Sequence, residues 1–134
     1  MSTPARLTLS VLGGDYAVTR LDPHAALPHW VMQGEMQGEL WSLSRTPDEL
    51  SVLCAAALVP AGLQTQAGWS ALKLHGPFEF TLTGILSSVL NPLRDAGIGI
   101  FALSTFDTDY VLVAREQLPE ALAALRQAGH QVLP

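Results

Sequence analysis

The chain has 134 residues, of which 49% are hydrophobic and only 14% charged, so it is globular, with room for one medium domain or two very small ones. Seven Lys and Arg against twelve Asp and Glu give a formal net charge of −5, and the cations are scattered singly, which argues against nucleic acid or an anionic membrane as partner. The single cysteine, Cys54, forms no internal disulfide, no apolar run approaches a membrane span, and the cytoplasm is the expected location.

Leu7–Val11 alternates as a strand, and Gly13-Gly14-Asp15 signals a turn before a second strand at Tyr16–Leu21. Pro23 and Pro28 leave only a short, broken helix between Asp22 and Trp30. Gln33–Glu39 reads as a polar loop, Glu39–Arg45 and Leu50–Cys54 as strands about a Thr46–Glu49 turn, and Val59–Gly68 as a connection. Ser70–His75 alternates again. Leu82, Ile85, Leu86, Val89, Leu90 and Leu93 then mark one buried helix face. Thr83 caps that helix in this reading, Gly84 lies just inside it, Gly97 ends it, and Pro92 should kink it or close it early. A last helix begins near Pro119 and ends at Gly129, and His130–Leu133 closes the chain as a strand. The second half thus has the order βαββαβ, for which an antiparallel sheet with helices on one face is expected.

Between its two helices lies the most informative stretch, Ile98–Ala114: two strands around the turn Ser104-Thr105-Phe106-Asp107-Thr108-Asp109. Both faces of these strands are apolar, as for central strands. A polar turn between buried strands is a place to meet a small polar ligand; it is equally the form of an ordinary hairpin whose Asp and Thr satisfy their own backbone. Shifted by about sixty positions, Trp41–Cys54 lies without gaps on Phe101–Ala114. This echo suggests two related modules, the first with its helices worn down.

Gly68–Val113, with Thr83-Gly84-Ile85 at the helix start and Ser104-Thr105-Phe106-x-x-Asp109 before the strand, resembles the ACT-domain family. The likeness is greatest to small two-module bacterial proteins related to the CASTOR-type arginine sensors, and Leu40–Cys54 fits the degenerate first module of that group. The resemblance implies an α+β fold of tandem ferredoxin-like βαββαβ modules, residues 1–66 being degenerate and 67–134 complete. It also implies a regulatory protein without catalytic activity or cofactor, a homodimer that binds an amino acid at a module interface and acts on a regulated protein partner. The ligand residues it implies are Thr83, Gly84, Ile85, Gly99, Ile100, Ser104, Thr105, Phe106 and Asp109. In physical terms, a helix N-terminus at Thr83-Gly84 suits an α-carboxylate, and Asp109 with Thr105 suits an ammonium group. Where the arginine sensors carry an acidic residue two positions before the helix glycine, this chain has Leu82; that disfavours arginine and favours an apolar or small side chain.

Other candidates carry less. Cys54 on an apolar strand reads as a buried small hydrophobe. His24, His29, His75 and His130 read as exposed, with no metal spacing. Trp30, Trp41 and Trp69 read as core or interface aromatics. Asp107 with Asp109 forms a solvated pair or, in a minor alternative, the acid and base of a small enzyme. A structural dimerisation module without any small ligand remains the main alternative to amino-acid binding.

Overall fold

The computed structural model describes residues 6–33, 40–76 and 84–133. In chain order the elements are β1 (Thr8–Val11), β2 (Tyr16–Leu21), α1 (Trp30–Gln33), β3 (Ser42–Arg45), β4 (Leu50–Ala55), β5 (Gln64–Leu74), α2 (Ile85–Asp95), β6 (Ile100–Ser104), β7 (Asp109–Ala114), α3 (Leu118–Gln127) and β8 (Gln131–Leu133), with short 3-10 turns at Ala56–Leu58 and Arg115–Gln117. They form two compact units: Gly13–Trp69, and the described residues of Met1–Leu12 with Ser70–Pro134. The fold is mixed α+β.

In the unit Gly13–Trp69, β4 pairs antiparallel with β3 and β2, and β2 pairs with the first part of β5. Val59–Gly68, expected as a connection, becomes strand from Gln64 onward. Tyr16 opposes Trp69 and Val18 opposes Gln66, so β5 carries one extra residue there. Beside it Gly68 adopts φ +84°, the left-handed conformation that such a bulge needs and that only glycine adopts freely. Alternation along β4 sends Leu50, Val52 and Cys54 into a core with Val31 of the single-turn α1. The proline-rich segment before α1 is held by Arg45, whose guanidinium donates to the carbonyls of Pro23 and Ala25.

The other unit has the strand order β6-β7-β5-β1-β8. From β5 to β8 it follows the expected βαββαβ, with one departure: β1 lies between β5 and β8. Leu9 opposes Leu74 in the antiparallel pair and Val132 in the parallel one, so the sheet is not wholly antiparallel. Leu9, Leu72, Leu74, Val111, Val113 and Val132 project from one face into a core shared with Val89 and Leu93 of α2 and Ala121 and Leu125 of α3. Of the two hairpin strands, β7 is central, between β5 and β6. Among the described residues β6 pairs only with β7, and Ile100, Ala102 and Ser104 are exposed.

Two features of α2 differ from expectation. Gly84 is its N-cap, at φ +77°, not its first helical residue, and Ile85 opens the helix; the expected cap, Thr83, lies outside the described residues. Pro92 does not end the helix, which runs on to Asp95. Proline removes the N–H that would have reached the carbonyl of Ser88, and His130 replaces it: its Nε2 lies 2.8 Å from that oxygen. His130 is therefore buried, at 5% exposure, and precedes β8 where an exposed strand residue was expected.

Both helices end in the same way. At the end of α2, Gly97 donates to Arg94 and Ile98 to Leu93; at the end of α3, Gly129 donates to Arg126 and His130 to Leu125. Each is a Schellman motif with glycine in the left-handed conformation, written in sequence as Leu-Arg-x-Ala-Gly. The apolar position that follows is filled by Ile98 in one and by His130 in the other.

Candidate functional site

The β6–β7 register settles which expected residues share a face. Ile100 opposes Val113, Ala102 opposes Val111 and Ser104 opposes Asp109, and directly opposed residues project from the same side. Val111 and Val113 lie in the helix-covered core, against which Ile85 also packs, so Ile100, Ser104 and Asp109 belong to the face that α2 covers. Phe101, Leu103, Tyr110 and Leu112 take the reverse face.

Within the turn, the hydroxyl of Ser104 donates to the Asp109 carboxylate, whose remaining lone pairs stay available to a further donor. The Thr105 N–H donates to the Thr108 carbonyl at 2.8 Å. The Thr105 hydroxyl donates to the same carbonyl at 3.1 Å and accepts from the Thr108 N–H at 3.3 Å. Thr105 thus serves its own turn, as in an ordinary hairpin. The Thr108 hydroxyl donates to the carbonyl of Leu74, tying the turn to β5. Phe106 is 81% exposed.

At the start of α2, Gly84 has no side chain to cap the first-turn N–H groups, which leaves a partial positive charge there. Among the described residues a Cβ built on Gly84 meets nothing within 4 Å, and its backbone angle is what calls for glycine. Gly99 likewise has open space around its Cα and sits just before β6.

Beside the turn is a cleft of about 230 Å³ lined by Lys73, Gly76, Thr105, Asp107, Thr108 and Tyr110. Of the eight expected ligand residues that are described, only Thr105 lines it. Lys73, Thr108 and Tyr110 were missed because their place depends on β5 and β7 pairing; the one local signal is that Lys73 is the chain's sole lysine. A larger groove of about 590 Å³ runs between α2 and α3 past Ser88, Asn91, Asp95, Ala124 and His130. Its central polar groups are already engaged: the Ser88 hydroxyl donates to Ile85 at 2.6 Å, and both His130 ring nitrogens are bonded.

Among the described residues no three His, Cys, Asp or Glu side chains cluster to hold a metal. Cys54 is fully buried, and burial pushes its thiol up, away from the reactive thiolate. Among the described residues no helix is long and apolar enough to cross a membrane.

The model of the ACT domain matches residues 64–127, and a model of an N-terminal domain matches residues 14–62. The crystal structure of protein Atu0741 from Agobacterium tumefaciens is 41% identical, with a TM-score of 0.87 over 96% of this chain and 93% of that one. The human protein CASTOR3P is 28% identical over 115 residues, covering 76% of this chain and 71% of its own. The regulatory subunit of aspartate kinase from Thermus thermophilus, at 11% identity, shares the fold with a TM-score of 0.60 over 90% of this chain and 93% of that one. The β5–α2–β6–β7–α3 succession is what the matched model spans, and the chain belongs to the ACT-domain family.

Proposed function

We propose that this chain is a small cytoplasmic regulatory protein, without catalytic activity of its own, that binds an amino acid at the helix start and turn of its ACT domain. The observation that carries the reading is the shared face of Ser104, Asp109 and the α2 core. A half-buried carboxylate stands on the side of the sheet covered by a helix whose N-cap has no side chain. Asp109 takes the ligand's ammonium group, as a charge-assisted bond. The first-turn N–H groups of α2 take its carboxylate. Ile100, exposed at the start of the edge strand β6, faces the ligand's side chain. Likeness to a regulatory subunit of aspartate kinase, and to a human CASTOR protein, supports a regulatory role.

Among the described residues β6 pairs only with β7, and this edge supports a second element of the proposal, a homodimer formed through it, with the ligand passing its signal to a protein partner. A ligand-free dimerisation module is the competing reading, favoured by the self-satisfied bonding of Thr105 and Thr108. A thermal-shift screen against the twenty amino acids decides between them, because a ligand that binds only the folded state raises its melting temperature. We expect one or a few short or apolar amino acids to do so. A flat response across all twenty overturns amino-acid binding and leaves the dimerisation module.

A further inference from the structure

We propose that the cleft formed by Lys73, Thr105, Asp107, Thr108 and Tyr110 is a second site, separate from the one above, which takes a small zwitterion with its carboxylate on Lys73 and its ammonium on Asp107. The two sites lie on opposite faces of one sheet. Lys73 alternates with Leu72 and Leu74, and Tyr110 with Asp109 and Val111; Leu72, Leu74 and Val111 point into the helix-covered core. Lys73 and Tyr110 therefore project away from α2 and from Asp109.

The charges in this cleft are arranged for an occupant. Among the described residues it holds one cation and one anion, both exposed. Among the described residues no ion pair joins Lys73 to Asp107, so the two line the same cleft without closing on each other. Three ammonium N–H donors and a carboxylate are left facing it. In a chain with a single lysine and 14% charged residues, that juxtaposition is not the by-product of a densely charged surface.

The spacing between the two charges is held by the backbone. The Thr108 hydroxyl donates to the carbonyl of Leu74, linking the neighbour of Asp107 to the neighbour of Lys73. Thr105 and Thr108 lock the turn between them through three bonds of 2.8, 3.1 and 3.3 Å. Anchoring the roots of both charged side chains in this way lowers the ordering cost of binding. The half-buried Tyr110 adds a ring wall and a hydroxyl. At about 230 Å³ the cleft is smaller than the ~300–1,000 Å³ of sites for drug-sized ligands, which limits the occupant to an amino acid or similar zwitterion with a short side chain.

Because Lys73 is the sole lysine, labelling the protein with lysine enriched in 13C at Cε gives one side-chain reporter in the cleft. The protein is titrated separately with glycine, L-alanine and L-serine, and with acetate and methylammonium, each of which carries only one of the two charges. We expect saturable shifts with at least one zwitterion and at least ten-fold weaker responses to acetate and methylammonium. Asp107→Asn should weaken the zwitterion response at least ten-fold, whereas Asp48→Asn, in the other unit, should leave it unchanged, with circular dichroism confirming both folds. A Lys73 signal silent to all three zwitterions up to about 10 mM, well above a millimolar dissociation constant, overturns the site. A response to acetate equal to that of glycine, or one that survives Asp107→Asn, overturns it as well. If an amino acid raises the melting temperature equally in the parent chain and in Lys73→Met while the Lys73 signal stays silent, this second site fails and the Asp109 site stands.

Discussion

His130 donates from Nε2 to the carbonyl of Ser88 at 2.8 Å, and Ser88 is the residue four positions before Pro92, whose ring can supply no N–H. The other ring nitrogen, Nδ1, accepts from the Leu7 N–H at 3.0 Å. These partners fix the tautomer: Nδ1 is the acceptor and Nε2 carries the proton. One buried side chain therefore repairs the proline gap in α2 and secures the approach to β1.

Removing the ring should leave the Ser88 carbonyl and the Leu7 N–H without their partner. At about 1–3 kcal/mol for each buried unsatisfied group, His130→Ala is expected to destabilise the unit by roughly 2–5 kcal/mol, cavity cost included. Urea unfolding measures this. Pro92→Ala returns an N–H to the helix ladder, so His130→Ala should cost less in that background; a double-mutant cycle with no coupling would refute the repair role.

Gly84 caps α2 at φ +77°, and among the described residues nothing crowds it. Gly84→Ala is therefore expected to cost about 1–2 kcal/mol through backbone strain alone, and Gly84→Asn less, because asparagine tolerates the left-handed region better. Equal stability of all three in denaturant melts would show that the cap relaxes to another conformation.

Asp109 is the proposed ammonium anchor. Asp109→Ala should remove about 1.5–3 kcal/mol of amino-acid binding, the range for a hydrogen bond to a charged group, or about ten- to a hundred-fold in affinity. Calorimetry on the amino acid chosen by the thermal screen checks it. Affinity equal to that of the parent chain would mean that Asp109 only receives the Ser104 hydroxyl and shapes the hairpin.

Among the described residues β6 pairs only with β7; a homodimer through its other edge is expected, and Ala102→Pro should split it by denying the partner strand a place to pair. Light scattering that gives a monomer mass for the parent chain at high micromolar concentration would count decisively against the dimer.

Cys54 is buried and its thiol is raised above its ordinary value of 9.0. The unfolded chain consequently loses this proton first, so stability is unaffected below that pH and falls as pH climbs past it. Cys54→Ala should lose that part of the alkaline decline. In the native parent chain, iodoacetamide should alkylate Cys54 far more slowly than in urea; equal rates would contradict the burial.

Much of this protein was legible locally. Period-two alternation marks β2, β4, β6 and β7; the apolar face of Ile85, Leu86, Val89 and Leu93 marks α2; Gly97 and Gly129 end both helices; and the turn from Ser104 to Asp109 stands out as a polar island. Local backbone geometry and side-chain periodicity decide all of these, and each is written within a dozen residues. Tertiary structure decided the rest. Thr8–Val11 has no sequence feature that selects β5 and β8 as neighbours; it lies between them because Leu9 completes a core otherwise built from residues beyond Ser70. Gln64–Gly68 is too polar to announce itself as strand, and extends only because β2 offers it a ladder. His130 looked like a surface histidine until the proline gap forty-two residues earlier supplied its partner. The same holds for Lys73 and Asp107, thirty-four residues apart in sequence and brought to one cleft by the bond from Thr108 to Leu74. Such pairings are chosen by what remains unsatisfied after the local elements have formed, a quantity that no stretch of sequence carries alone.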